Sequence, residues 1–174
     1  MLTIIKQILM EPNTFFSSMY REKGIRDSFL FLGMIMLFYV IVSGIIGMIV
    51  LNTLFADIVD ISGWQYVGLL ILIYFVALAL SFVVAGVLFV WIKVWGGRNL
   101  SYDKAYQLYV FSRTPTMVFG WIPFVNYLIW IWNTVLLVIG TMSWFGIQKT
   151  KAIWMYVIPI LLVLVSYLIY FVVA

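Results

Sequence analysis

The chain has 174 residues, of which 66% are hydrophobic and 9% charged, against about 25% charged in soluble domains. Ten Lys+Arg and six Asp+Glu cannot coat a globule of this size with solvated charge, which excludes a soluble monomer, and the same hydrophobicity excludes a disordered chain. With no Cys and no His, disulfides, thiolate or imidazole metal sites and histidine-based triads are excluded, and a net charge of +4 is too small and scattered for a nucleic-acid surface.

The expectation is an all-α integral membrane protein, since a spanning helix needs roughly 20 apolar residues. The first element in the chain is a short helix. Leu2, Ile5, Ile8 and Leu9 fall at helical spacing, with Lys6 and Gln7 off that face, and Pro12 ends it. The apolar run is short, is broken by Lys6 and lacks a small-residue cleavage site, unlike a cleavable signal peptide. Residues 1–27 are expected to form an interfacial segment lying flat on the inner membrane surface, with Phe15, Phe16 and Met19 continuing the contact. The rival placement is a short connector packed under the bundle. Residues 28–174 form the membrane domain.

The first span is expected over about residues 28–52 and the second over about 64–92. Asp57 and Asp60 lie between them, in a loop without Lys or Arg. Two carboxylates without further oxygen ligands make a poor cation site, so a turn or cap is expected there. Ser43, Gly44 and Gly47 on the first span, and Ala77, Ser81 and Ala85 on the second, form small-residue faces. Lipid tails are as apolar as Leu, so helices associate where small residues let them approach closely. These two faces are expected to meet, with homo-oligomerisation through one of them as the alternative.

Gly96-Gly97 then makes a turn, without the following G-K-[ST] of a phosphate loop, and Ser101 caps the next helix. Lys93, Arg98 and Lys104 set topology, or offer a docking surface for a protein partner or anionic lipid head groups. A charge-free run from Thr114 to Gln148 follows. It would reach about 52 Å as one helix, too long for one untilted span. Gly120-Trp121-Ile122-Pro123 punctuates it, so a helical hairpin is expected, with spans over about 105–121 and 123–145. Lys149 and Lys151 precede a fifth span, about 152–173, and with Gly96 and Gly97 join Lys93, Arg98 and Lys104 as candidate docking or lipid-head contacts.

Five spans put nine of the ten basic residues on one side of the membrane. The positive-inside rule makes that side cytoplasmic, with the N-terminus inside and the C-terminus outside. Trp64, Trp91, Trp95, Trp121, Trp144 and Trp154 lie near span ends, where indole rings anchor at the head groups.

Arg113 is the exception, well inside the third span, where a cation costs about 2.5–3.5 kcal/mol on insertion scales. No carboxylate lies in any span to pair with it. Pro115 frees a backbone carbonyl near Phe111 that a guanidinium can satisfy. Asn126, Asn133 and Gly140 recur every seven residues on the fourth span. Reflection about the hairpin turn sets Arg113 level with about residue 130. Trp130 is then placed to stack on Arg113, and Asn133 to hydrogen-bond it. The functional version is a polar cavity for an anionic group such as a lipid phosphate. The structural version is an arginine that snorkels or ties the broken turn to the fourth span. Enzyme activity is not expected, because nucleophile, base and orienting group are all missing. No cofactor or metal is implied.

The chain resembles the Yip domain proteins, multi-pass membrane proteins named for interacting with Ypt/Rab GTPases. Glu11-Pro12 with Phe15-Phe16, then Gly96-Gly97 with Ser101 and Ala105, then Tyr109 to Pro115, then Trp132 to Gly140, Phe145-Gly146 and Lys151-Ala152 carry the resemblance in order. It implies a five-helix protein with a cytoplasmic N-terminus. Eukaryotic members are associated with vesicle traffic, Rab binding and membrane shaping. Their longer soluble N-terminal region and Asp-Leu-Ala-Gly-Pro-like stretch have no counterpart here, so Rab binding is not carried over. The chain is more similar to the short bacterial and archaeal members. The expected role is a membrane-organising or trafficking-type scaffold of a prokaryotic cytoplasmic membrane, surrounded by membrane lipids. The alternative is a transporter or lipid-binding protein using a cavity around Arg113.

Overall fold

The computed structural model describes residues 1–18, 24–54 and 62–173, and every regular element among them is a helix. In chain order these are α1 (Leu2–Met10), α2 (Pro12–Ser18), α3 (Ile25–Leu54), α4 (Gly63–Val94), α5 (Tyr102–Ser112), α6 (Thr114–Phe119), α7 (Val125–Phe145) and α8 (Lys149–Val173). Helices α3, α4, α7 and α8 are long and apolar enough to cross a membrane. The chain is a multi-pass membrane protein. Met19, Arg21, Lys23, Asp57 and Asp60 lie outside the described residues.

The third expected span is not one helix but two. The Pro115 ring lacks the N–H that would bond to the Phe111 carbonyl one turn back. The chain breaks at Arg113, whose carbonyl then accepts from the Met117 N–H at 3.1 Å to start α6. The first piece starts at Tyr102 because the Ser101 hydroxyl accepts from the Lys104 N–H at 3.3 Å. After α6 the chain turns through residues 120–124, where Phe124 takes a left-handed φ of 67°. Gly96 (φ 79°) and Gly146 (φ 64°) end α4 and α7 in the same backbone region, which favours glycine.

Helix α5 lies at the centre, against α3, α4 and α7, and Ala105, Tyr106 and Leu108 are fully buried. Helices α3 and α4 run antiparallel. The Tyr66 hydroxyl donates to the Gly44 carbonyl at 2.9 Å, and that of Tyr74 to the Gly33 carbonyl at 3.2 Å. The two small-residue faces do not meet each other. Gly44 and Gly47 receive the large side chains of Leu70 and Tyr66, so a Cβ at either glycine would overlap them. Ser81 faces α5 instead, 3.2 Å from the Tyr106 hydroxyl. A glycine notch filled by a ring satisfies close packing as well as two small faces do.

The N-terminal segment packs against the bundle, as the rival placement has it. Helix α1 packs on α6 and α2 on α7. Ile8 and Phe16 are fully buried, Phe15 sets its ring edge-on to Phe111 at 5.1 Å, and Phe16 does the same to Trp144 at 5.2 Å. Ser143 Oγ and Trp144 Nε1 both donate to the Phe16 carbonyl, at 2.8 and 2.6 Å. Gly140 makes the recess: a Cβ there would overlap Leu108 and sit 3.0 Å from the Phe16 ring. An apolar helix face fits a bilayer or a bundle equally, and here the bundle provides a shaped seat.

Trp144 is therefore a core residue, 3% exposed, and not a head-group anchor. Trp91 also has an internal task. Pro159 cannot supply an N–H to the Met155 carbonyl one turn back, and Trp91 Nε1 donates to that carbonyl at 3.2 Å. Beyond Pro159, residues 162–171 of α8 are all exposed, so the end of this helix stands away from the other seven.

Candidate functional site

Arg113 sits at the junction of α5 and α6, half-buried, and its guanidinium lies over the Tyr109 ring, 5.9 Å from the centroid. A cation over an aromatic face one turn back in the same helix is a stabilising contact. The fourth-span residues expected around it are arranged differently. Asn133 is buried, but its side-chain N–H donates to the Thr116 hydroxyl. Its Oδ1 is buried without a hydrogen-bond partner. Trp130 is 66% exposed and Asn126 is exposed, so both face outward from the seam. Pro115 is buried beside the break. The structure thus brings Asn133 to the α6 side of the break, and leaves Trp130 and Asn126 on the outer surface of α7.

Tyr109 and Thr116 were missed in the sequence reading. Tyr109 had a signal, since residues four apart share a helix face. Thr116 became legible only once the hairpin register was known. Leu108 lies against Gly140 and Thr116 against Asn133, so α5–α6 and α7 run antiparallel. Little space is left between them: Leu108, Thr114 and Leu136 are fully buried.

The basic residues form a second group. Lys93, Arg98, Lys149 and Lys151 are exposed, and Lys104 is half-buried with its Nζ donating to the Asn99 carbonyl at 3.3 Å. The Arg98 N–H donates to the Phe145 carbonyl at 2.8 Å, tying the loop after α4 to the end of α7. A Cβ on Gly96 would lie 3.5 Å from Lys151 Nζ. Gly97 is hemmed in by the Ile92 carbonyl and side chain, which holds the loop against the helix ends. Two basic stretches remote in sequence therefore share one end of the bundle. Among the described residues no cluster of carboxylates or other ligands could hold a metal ion.

A family model described as the Yip1 domain matches residues 6–171. No curated protein matches the chain, and no solved structure matches it.

Proposed function

The chain belongs to the Yip1 domain family, and we propose that it is a five-span, non-enzymatic scaffold of a prokaryotic cytoplasmic membrane that organises lipid or protein partners at its basic end. One observation carries this reading over transport: the seam between α5–α6 and α7 is filled with side chains. Leu108 and Leu136 are fully buried, and Gly140 has no room even for a methyl group. A transporter built on Arg113 needs a water-accessible polar cavity at that depth, and Arg113 spends its charge on the Tyr109 ring.

The same geometry supports the span count: four helices are long and apolar enough to cross, and α5–α6, which pairs antiparallel with α7, would be the fifth. The shared end of Lys93, Arg98, Lys149 and Lys151 supports a cytoplasmic assignment. The N-terminus is then inside and the C-terminus outside. Trafficking is a family association, and vesicle-partner binding is not carried to this chain.

Native mass spectrometry of gently solubilised wild type and Arg113→Leu tests the role. The same bound species on both variants is the expected result. An anion or lipid lost only in Arg113→Leu would replace the scaffold reading with the transport one. Single cysteines at Asp57, Arg98 and Lys149 test the topology, and they should label outside, inside and inside. Labelling of position 149 from outside would sink the five-span arrangement.

A further inference from the structure

Helices α7 and α8 leave a cleft of about 610 Å³ between them, with Asn13 of α2 at its side. The α7 wall extends from Ile131 to Met142 and the α8 wall from Lys149 to Ile160. Each wall rises about 16 Å at ~1.5 Å per residue. That is the depth of one leaflet of a hydrocarbon core about 30 Å thick. The walls are apolar along their length, and the Thr134 hydroxyl is occupied with the Trp130 carbonyl at 3.0 Å.

The polar groups gather at one end. Lys149 is exposed there and is the first residue of α8. The unpaired N–H groups of a first helical turn add partial positive charge. An adjoining cleft of about 460 Å³ is lined by Asn13, Ser17 and Ser143. The whole has the form of an amphiphile site: a leaflet-deep apolar slot with a cation and hydrogen-bonding side chains at its mouth.

We propose that this cleft holds one acyl chain of an anionic phospholipid, with the lipid phosphate at Lys149 and Asn13. The apolar walls alone would accept any lipid tail, whereas the lysine at the mouth selects for negative charge. The site does not involve Arg113; it rests on the proposed lipid role of the basic end and names the ligand held at Lys149, and its failure would leave that end to protein partners.

The test is native mass spectrometry of the full chain in detergent with dioleoyl phosphatidylglycerol, dioleoyl phosphatidylcholine or glycerol 3-phosphate added. Wild type should retain one phosphatidylglycerol in preference to phosphatidylcholine. Lys149→Gln should lower phosphatidylglycerol retention about fivefold, the worth of one lysine near an anionic surface, and leave phosphatidylcholine unchanged. Arg26→Gln, which alters an exposed cation at the start of α3 and away from the cleft, should change neither. Val157→Phe, which fills the slot, should lower retention of both lipids. Lys149→Gln alters an exposed side chain, so the test stands even where Val157→Phe fails to fold. Equal retention of the two lipids by wild type would overturn the proposal, as would equal losses in Lys149→Gln and Arg26→Gln. Displacement of the lipid by glycerol 3-phosphate would overturn it too, because the slot would then contribute nothing.

Discussion

Replacing Phe16 by Ala separates an N-terminal segment built into the bundle from one resting on the membrane. The ring is fully buried and makes edge-on contacts with Phe15 and Trp144, each with centroids 5.2 Å apart. Such pairs contribute about 0.5–1.5 kcal/mol each beyond area burial. A fully buried Phe→Ala change costs about 3–5 kcal/mol in soluble cores. Lipid replaces water in the reference state here, which reduces the transfer part, so a loss of about 2–3 kcal/mol is expected. The partner change is Gly140→Ala. Its new methyl group would press on the Phe16 ring and overlap Leu108, and overpacking of this kind costs about 1–3 kcal/mol. In the double variant the ring is gone and the methyl group occupies part of its space. The two costs should therefore fall short of additive by about 1 kcal/mol, within the range measured for residues in contact. Reversible unfolding in mixed detergent micelles, read by tryptophan fluorescence on all four proteins, measures that coupling. Phe16→Ala within about 0.5 kcal/mol of wild type, or strict additivity in the double variant, would refute the seat beneath Gly140, since surface changes usually stay within that limit.

Trp91→Phe should destabilise by about 1–3 kcal/mol, because it leaves the Met155 carbonyl without a donor. Adding Pro159→Ala, which returns the helical N–H to that carbonyl, should recover most of the loss in the same unfolding assay. Thr116→Val should cost about 1–3 kcal/mol by orphaning the Asn133 side-chain N–H, whereas Thr116→Val with Asn133→Leu should be near neutral, because both polar partners are then gone. Ser62→Ala should loosen the start of α4 by about 0.5–2 kcal/mol, seen as faster backbone amide exchange over residues 63–66, since the Ser62 and Gln65 side chains cap each other's backbone N–H groups.

What was legible in the sequence was mostly backbone chemistry. The turn after Gly120, the cap at Ser101 and the glycine turn at Gly96-Gly97 each rest on a residue whose own φ or side chain decides the local outcome. The placement of Phe15 and Phe16 was not legible in this way. An apolar face is compatible with lipid and with protein, and the choice rests on a recess at Gly140, more than a hundred residues away. The ring over Arg113 is hard to read for the opposite reason: Tyr109 lies only four residues back on the same helix, while the polar candidates lie across the hairpin. Trp144 illustrates the limit of position as a guide. It lies at a helix end, as a membrane-anchoring tryptophan would, yet the Phe16 carbonyl turns it inward.

The unequal lengths of the helices bear on the surrounding bilayer. Helices α3 and α4 have 30 and 32 residues, or about 45 and 48 Å of rise. Helices α5 and α6 together reach from Tyr102 to Phe119, about 27 Å, and α7, with 21 residues, about 31 Å. A hydrocarbon core about 30 Å thick matches α7 and is exceeded by α3 and α4. Beside α3 and α4, helix tilt, local bilayer thickening or helix ends standing out of the core take up the difference, at a fraction of a kcal/mol per Å of mismatch. The demand on the surrounding lipid is therefore greater beside α3 and α4 than beside α7.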